Sequence, residues 1–593
     1  MREDEKLALV GDKKIPNRIL FKRVMAYVKP QWLKFFFAFL LIAVTVAFDM
    51  LFPLIIKEVT NNLQMADMTY EILKNIITLA VGYLILGIVN QGFAFLEAML
   101  LQYAGQNIIY KIRYDVFEHI ESMSQNQFNE MPVGSLVTRV ANYTTSMSDL
   151  FTNVLINIIR DVATIVAVYV IMVIISWRLS LILLGFMAAI FIISFFFSKI
   201  VHKIFHKERA DTSALNAFLN ESLSGMKIIQ LFNQEARKDK EFVVINNNLK
   251  KDRYLVVLAF GVYRPLINLL YLGAIAVTFW YGSHSLNAGE VVAFYLYLSK
   301  FFNPVQQLAD KLNHIERAKT ACERLFNLMD VQPEVLDKPD AKDVTTFKGK
   351  IEFRHVWFSY IPDEWVLKDV SFVINPGETC AFVGATGAGK TTILSLIVRN
   401  FEIQKGQILI DDVDIADIKI DSLRRGIGQM LQDVFLFSGN IKNNITLHDE
   451  SFSDEEVWEA CKYVNADQFI SQLDHGLEEE VIERGENFSQ GQRQLLSFAR
   501  TILHKPQILI LDEATANIDT QTEVLIQESL EKMKSIGTML VVAHRLSTIQ
   551  KADHIIVLQH GEIIETGNHQ SLLKQKGHYY KLYKLQYEDQ KAN

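Results

Sequence analysis

Gly384-Ala385-Thr386-Gly387-Ala388-Gly389-Lys390-Thr391 stands between an apolar strand-like run, Thr379–Val383, and an apolar helix-like run, Ile393–Val398. That is the G-x-x-x-x-G-K-[ST] pattern in the strand–loop–helix setting that a phosphate-binding loop needs. The glycines let the backbone turn its N–H groups toward a polyphosphate. Lys390 reaches the β/γ end, and the Thr391 hydroxyl is placed for Mg²⁺. The spacing predicts an α/β P-loop domain that binds ATP or GTP, with Gly384 through Thr392 as contact residues.

The rest of the chain says what such a domain is attached to. At 593 residues it is too long for one ordinary domain. It is 50% hydrophobic with a mean hydropathy of +0.15, an average over two unlike halves. Before about residue 320 long apolar runs alternate with basic stretches, and after about residue 345 the pattern becomes that of a soluble α/β domain. The net charge of −7 comes without a basic block of the nucleic-acid kind. Cys322, Cys380 and Cys461 lie far apart, which argues against a disulfide framework or a cysteine metal site. The N-terminal residues lack the pattern of a removable signal peptide.

About six apolar segments are long enough for a bilayer core of ~30 Å. They run over Trp32–Ile56, Ile76–Leu100, Leu150–Ser176, Leu179–Phe197, Tyr254–Tyr281 and Val291–Val305. Lys and Arg crowd the segment before the first, that between the second and third, and that between the fourth and fifth. The Gly282–Glu290 turn has none, and the third-to-fourth turn has only Arg178. Both termini are therefore expected on the cytoplasmic side, in a multi-pass plasma-membrane protein. Residues 17–29 interleave Ile19, Leu20, Phe21, Val24, Met25 and Val28 with basic residues, as an amphipathic elbow helix on the inner leaflet does. Ile109–Asp149 and Lys199–Arg253 are rich in helix formers and predict helices reaching well below the membrane. Contact helices are expected at their tips, near 115–122 and 213–222. Asp49 and Glu97 fall inside spans, where a charge serves either cargo or proton binding or a structural ion pair. Arg160, Asp161, Arg264 and Lys300 are read as nearer the cytoplasmic reach, lining an aqueous cavity or paired locally.

In the soluble half an alternating strand ends at Tyr360, an aromatic that can stack on a purine. Ile508–Leu511 runs into Asp512-Glu513, a buried strand delivering acid to the ligand-binding edge of an open α/β sheet. Asp512 would hold Mg²⁺, and Glu513 would orient and deprotonate the attacking water. Thr538–Ala543 ends in His544, which can donate to a γ-phosphate. Gln432 follows Ile427–Leu431 and can touch Mg²⁺ or the attacking water. Phe488-Ser489-Gln490-Gly491-Gln492 opens a helix, where Ser489, Gly491 and Gln492 form an anion site.

Taken in order, Tyr360, the loop 384–391, Gln432, Glu483-Arg484-Gly485, 488–492, Asp512-Glu513, Asp519 and His544 resemble one family over nearly the whole chain. It is that of ATP-binding cassette exporters with six spans fused to one nucleotide-binding domain. The resemblance implies an α-helical six-span membrane domain (1–335), a linker (336–347) and an ABC-type α/β domain (348–593). It implies a pair of half-transporters with two ATP molecules between head-to-tail domains. It assigns Glu513, His544 and Gln432 to catalysis, Thr391, Gln432 and Asp512 to Mg²⁺, and Asp519 to the interface loop. The family signature is Leu-Ser-Gly-Gly-Gln, and here Gln490 replaces the first glycine, while Glu513 and His544 are intact. That combination looks like the catalytic-glutamate-bearing member of a bacterial heterodimeric multidrug exporter. The expected cargo is amphipathic or cationic drug-like compounds, suited to the aromatic-rich spans. A lipid or peptide exporter and a homodimeric drug exporter share the architecture. No protease-like segment precedes Asn17, as a peptide-processing exporter would require. An ATP-gated channel would be expected to carry extra regulatory segments, and a soluble nucleic-acid ATPase would lack the spans.

Overall fold

The computed structural model describes residues 14–64, 69–431, 433–512, 520–542 and 549–592. Gln432, Glu513, Asp519 and His544 lie outside them. The chain forms two compact units. One comprises the described residues up to Glu121 together with Val133–Val331. The other joins Ser122–Pro132 to Gln332 and all that follows.

The first unit is helical. Asn17–Val28 buries Leu20, Val24 and Val28, spaced by one helical turn on one face, and leaves Ile19, Phe21 and Met25 exposed on others. Among the described residues five helices are long and apolar enough to cross a membrane: Asn17–Leu63, Tyr70–Glu121, Val133–Ile175, Trp177–Ser224 and Glu235–Ser285. The sixth expected segment lies on the helix Ala288–Met329, which is not among those five. Its apolar run is short and is interrupted by Lys300. The 52 residues of Tyr70–Glu121 extend about 78 Å at 1.5 Å per residue, far more than a bilayer core. The helices therefore do continue beyond the membrane. The third and fourth spans meet at Ser176, whose extended backbone (φ −155°, ψ 103°) is the whole turn. Two π-helical stretches, Arg139–Tyr143 and Leu150–Leu155, precede the α-helix Ile156–Ile175.

The tip helices differ from expectation. Residues 115–121 and 213–222 belong to the ends of the long helices, and the separate short helices are Gln125–Asn129 and Met226–Leu231. The reason is local. Ser124 caps the first through a reciprocal pair with Gln127, and Gly225 breaks the chain before the second.

The second unit is built from β1 (Ile351–Ser359), β2 (Trp365–Ile374), β3 (Thr379–Val383), β4 (Lys405–Ile410), β5 (Val413–Asp414), β6 (Ile427–Met430), β7 (Gly439–Asn440), β8 (Glu480–Val481), β9 (Ile508–Asp512), β10 (Thr538–Val542), β11 (His554–Gln559) and β12 (Glu562–Gly567). A six-stranded sheet has the order β12-β11-β3-β10-β9-β6, and a four-stranded antiparallel sheet the order β2-β1-β4-β5. From β11 to β6 the larger sheet is parallel. Its central strands are near-continuous apolar runs because both faces are covered. Ala381, Leu509, Leu511, Met539 and Val541 enter one core, while Cys380, Phe382, Ile508, Ile510, Leu540 and Val542 enter the other. The helix Lys390–Ile397 packs into the second core and Gln490–Leu503 into the first, so the two lie on opposite faces of the sheet.

Candidate nucleotide site and in-span charges

Parallel pairing brings the C-terminal ends of four strands to one edge. Val542 of β10 pairs with Phe382 of β3 and Asp512 of β9, and Met430 of β6 pairs with Leu511. In sequence, the phosphate loop follows β3, Gln432 follows β6 within two residues, Glu513 follows β9 and His544 follows β10 within two.

The loop geometry explains its glycines. A Cβ on Gly384 would sit 2.3 Å from the Leu558 carbonyl oxygen, so only glycine permits that approach. Gly389 caps the Lys390–Ile397 helix with φ +103°, a left-handed conformation that side chains resist. Lys390 is buried, and its Nζ donates to the carbonyls of Gly384 (2.7 Å) and Ala385 (3.0 Å). An ammonium has three donors, so one remains to meet a phosphate oxygen. Burial lowers the pKa of Lys390, and the nearby Asp512 carboxylate pulls it back up. Ala385, Thr386 and Gly387 are exposed at the loop's crest, whereas Ala388 is buried beneath it.

The Thr391 hydroxyl is exposed at the helix start, while Thr392 is buried and its Oγ1 lies 3.1 Å from the Tyr360 hydroxyl. Tyr360 is thus tied to the phosphate-loop helix. Its ring stands edge-on to Phe358 and Phe401, at 4.8 and 5.1 Å, and remains partly exposed for stacking. Phe401 and Gln404 escaped the sequence reading. Gln404 bonds both the N–H and the carbonyl of Ser359, fixing the residue before Tyr360. The only local signal was an aromatic past the helix. Thr391, exposed at the helix start, and Asp512, at the end of β9 and felt by Lys390, carry oxygen donors of the kind that suit Mg²⁺.

Ser489 caps the Gln490–Leu503 helix. Its Oγ accepts from the Gln492 N–H (3.2 Å), and the Gln492 side chain accepts from the Ser489 N–H (2.9 Å). Gln490 is the first helical residue and Gly491 is buried behind it. Glu483–Gly485 forms a tight turn with Arg484 at φ +58°.

The charges inside the spans have partners. Glu97 is 1% exposed and meets Arg160. Asp161 meets Lys311. Asp49 accepts from Asn90 (3.2 Å) and faces Lys300 (3.6 Å). Lys300 is thus paired locally, with Asp49. It lies about 18 Å along its helix from Ala288, at 1.5 Å per residue, opposite Asp49. The Arg264 guanidinium lies 5.6 Å from the Phe260 ring centroid, within cation–π range. For Asp49 and Glu97 the ion-pair reading is the one the contacts carry.

Family models match both halves: the ABC transporter transmembrane region over residues 35–305 and the ABC transporter domain over 367–516. The chain is 37% identical, over 83% of its length and 74% of the relative's, to "Probable multidrug resistance ABC transporter ATP-binding/permease protein YheH" of Bacillus subtilis. It is 32% identical, over 97% of its length and 95% of the relative's, to an ATP-dependent lipid A-core flippase of Syntrophus aciditrophicus. A bacterial Atm1-family ABC exporter solved with ATP bound superposes with a TM-score of 0.77 at 26% identity, covering 96% of this chain and 99% of that one. The chain belongs to the ABC transporter family, as a half-transporter whose C-terminal domain binds and hydrolyses ATP to drive transport.

Proposed function

We propose that this chain is one of two non-identical halves of an exporter that moves amphipathic, drug-like compounds outward across the plasma membrane. The observation that carries the asymmetry is Gln490 at the first position of the signature helix, beside an intact Glu513 and His544 in the sequence. A helix N-terminus offers N–H groups to a phosphate, and a glutamine side chain crowds the approach that glycine leaves open. The phosphate-loop helix and the signature helix occupy opposite faces of one sheet, which favours composite sites shared between two chains. In this reading residues 1–335 form the membrane domain, 336–347 the linker and 348–593 the cassette.

This chain supplies Glu513, His544 and Gln432 to the active site and its altered signature to a second, slower one. Lys390 and the loop N–H groups hold the phosphates, and Tyr360 holds the base. Mg²⁺, when bound by Thr391, Asp512 and Gln432, neutralises phosphate charge. Glu513 takes a proton from the attacking water. ATP closes the paired cassettes because it binds the closed state better, and the tip helices carry the closure to the spans.

The Bacillus relative named for multidrug resistance supports drug-like cargo. A lipid cargo is the second reading, favoured by the flippase relative and by in-span charges that are already paired. Purification from the native host tests the pairing. The expected result is a 1:1 complex with a different half-transporter, in which Gln490→Gly raises ATP turnover. A homodimer with two equally active sites would refute the asymmetry.

A further inference from the structure

Beside the elbow helix Asn17–Val28 lies a cavity of about 840 Å³. That volume is in the range of ligand sites, ~300–1,000 Å³. Its walls come from the elbow, from the part of Tyr70–Glu121 around Asn107–Asp115, and from the end of Ala288–Met329. The apolar wall is Tyr27 stacked on Phe326 at 6.5 Å, with Met329 and Pro30.

Its charges come in opposed pairs. Arg23 Nη1 reaches both Asp330 oxygens at 2.8 Å, and Lys111 Nζ lies 2.7 Å from Asp115, whose negative charge acts on the Tyr27 hydroxyl. Gln31 and Asn107 add amides 3.5 Å apart. The lining thus holds two cations and two carboxylates and is neutral overall. A guanidinium has five donors and a carboxylate about four acceptor sites, so each pair keeps capacity for a further polar partner.

Two features identify the occupant. Trp32, Leu33, Phe36 and Phe37 are exposed on the first span directly after Gln31, an apolar track leading from the cavity along the membrane. The elbow itself exposes Ile19, Phe21 and Met25, as a helix lying in the lipid interface does. We propose that the cavity holds the headgroup of a zwitterionic inner-leaflet phospholipid bearing a primary ammonium, of the phosphatidylethanolamine type. Its phosphate meets Arg23, Lys111 and the amides, its ammonium donates to Asp115 and Asp330, and its acyl chains run along the first span. A glycerol headgroup offers no cation to the carboxylates. A choline headgroup has the charge but no N–H to donate.

Native mass spectrometry of the full-length transporter tests this, with equimolar phosphatidylethanolamine, phosphatidylcholine and phosphatidylglycerol of identical chains. The expected result is retention of the ethanolamine lipid about tenfold over each of the others, equivalent to about 1.4 kcal/mol. In the Arg23→Ala/Asp330→Ala double variant, which removes a pair without stranding a charge, the preference should fall to about twofold or less, because charged hydrogen bonds carry it. Ala26→Trp, which fills the cavity, should lose the tightly held lipid. Unchanged elution and ATP binding report that each variant is folded. Equal retention of the three lipids by the wild type, or a preference that survives in the folded variants, overturns the proposal. Neither outcome depends on which cargo is exported.

Discussion

Glu97 is 1% exposed and its charge is met by Arg160, a residue 63 positions away on the next span. Removing one partner of such a pair leaves an uncompensated charge and costs roughly 3–5 kcal/mol, whereas removing both is often neutral. Arg160→Gln is therefore expected to lower the midpoint of thermal unfolding in detergent, and Glu97→Gln/Arg160→Gln to restore most of it. Equal loss in the single and double variants would assign Glu97 to something other than this pair. At this scale legibility depended on contiguity. The phosphate loop is one unbroken stretch whose glycines and Lys390 are each required by local geometry, so the sequence displays it whole. The partners of Glu97, Asp161 and Asp49 are on other helices, and no local pattern names them.

The tip helix Gln125–Asn129 shows how elements are hung. Glu334, just past the Ala288–Met329 helix, accepts from the Ser124 hydroxyl (3.2 Å) and the Asn126 amide (3.1 Å), and the Gln127 amide donates to the Gln332 carbonyl (2.8 Å). Asn126 and Glu334 also line a cavity shared with Tyr360 and Phe401. A carboxylate bonding two side-chain donors is worth about 1.5–3 kcal/mol per charged bond. Glu334→Ala is expected to leave ATP binding by the purified protein intact while lowering the cargo moved per ATP hydrolysed. An unchanged ratio would deny this contact any part in coupling. The helix was legible in retrospect as Ser124-Gln125-Asn126-Gln127, a cap followed three residues later by glutamine. The expectation of 115–122 followed helix formers instead, and these belong to the long helix that precedes the cap. The strands were easier. β3, β9 and β10 are short and predominantly apolar, and their ends lie within a residue of those expected.

For the whole molecule, the division into a helical half and an α/β half is written in the change of hydropathy between about residues 320 and 345, and the two family matches lie on either side of it. Neither cargo nor partner is written the same way. A transport cavity is assembled from many helices and from a second chain, so its selectivity has no contiguous trace. The most direct measurement is ATP-driven passage in reconstituted vesicles, with this chain and its partner, the cassettes facing outward and an amphipathic dye or labelled lipid as cargo. ATP-dependent accumulation in the lumen is expected. Glu513→Gln should cut turnover by roughly 10²–10⁴-fold, the worth of a general base, while ATP still binds. ATP consumption that never alters the passage of any dye or lipid, or full turnover by the Glu513→Gln protein, would contradict it.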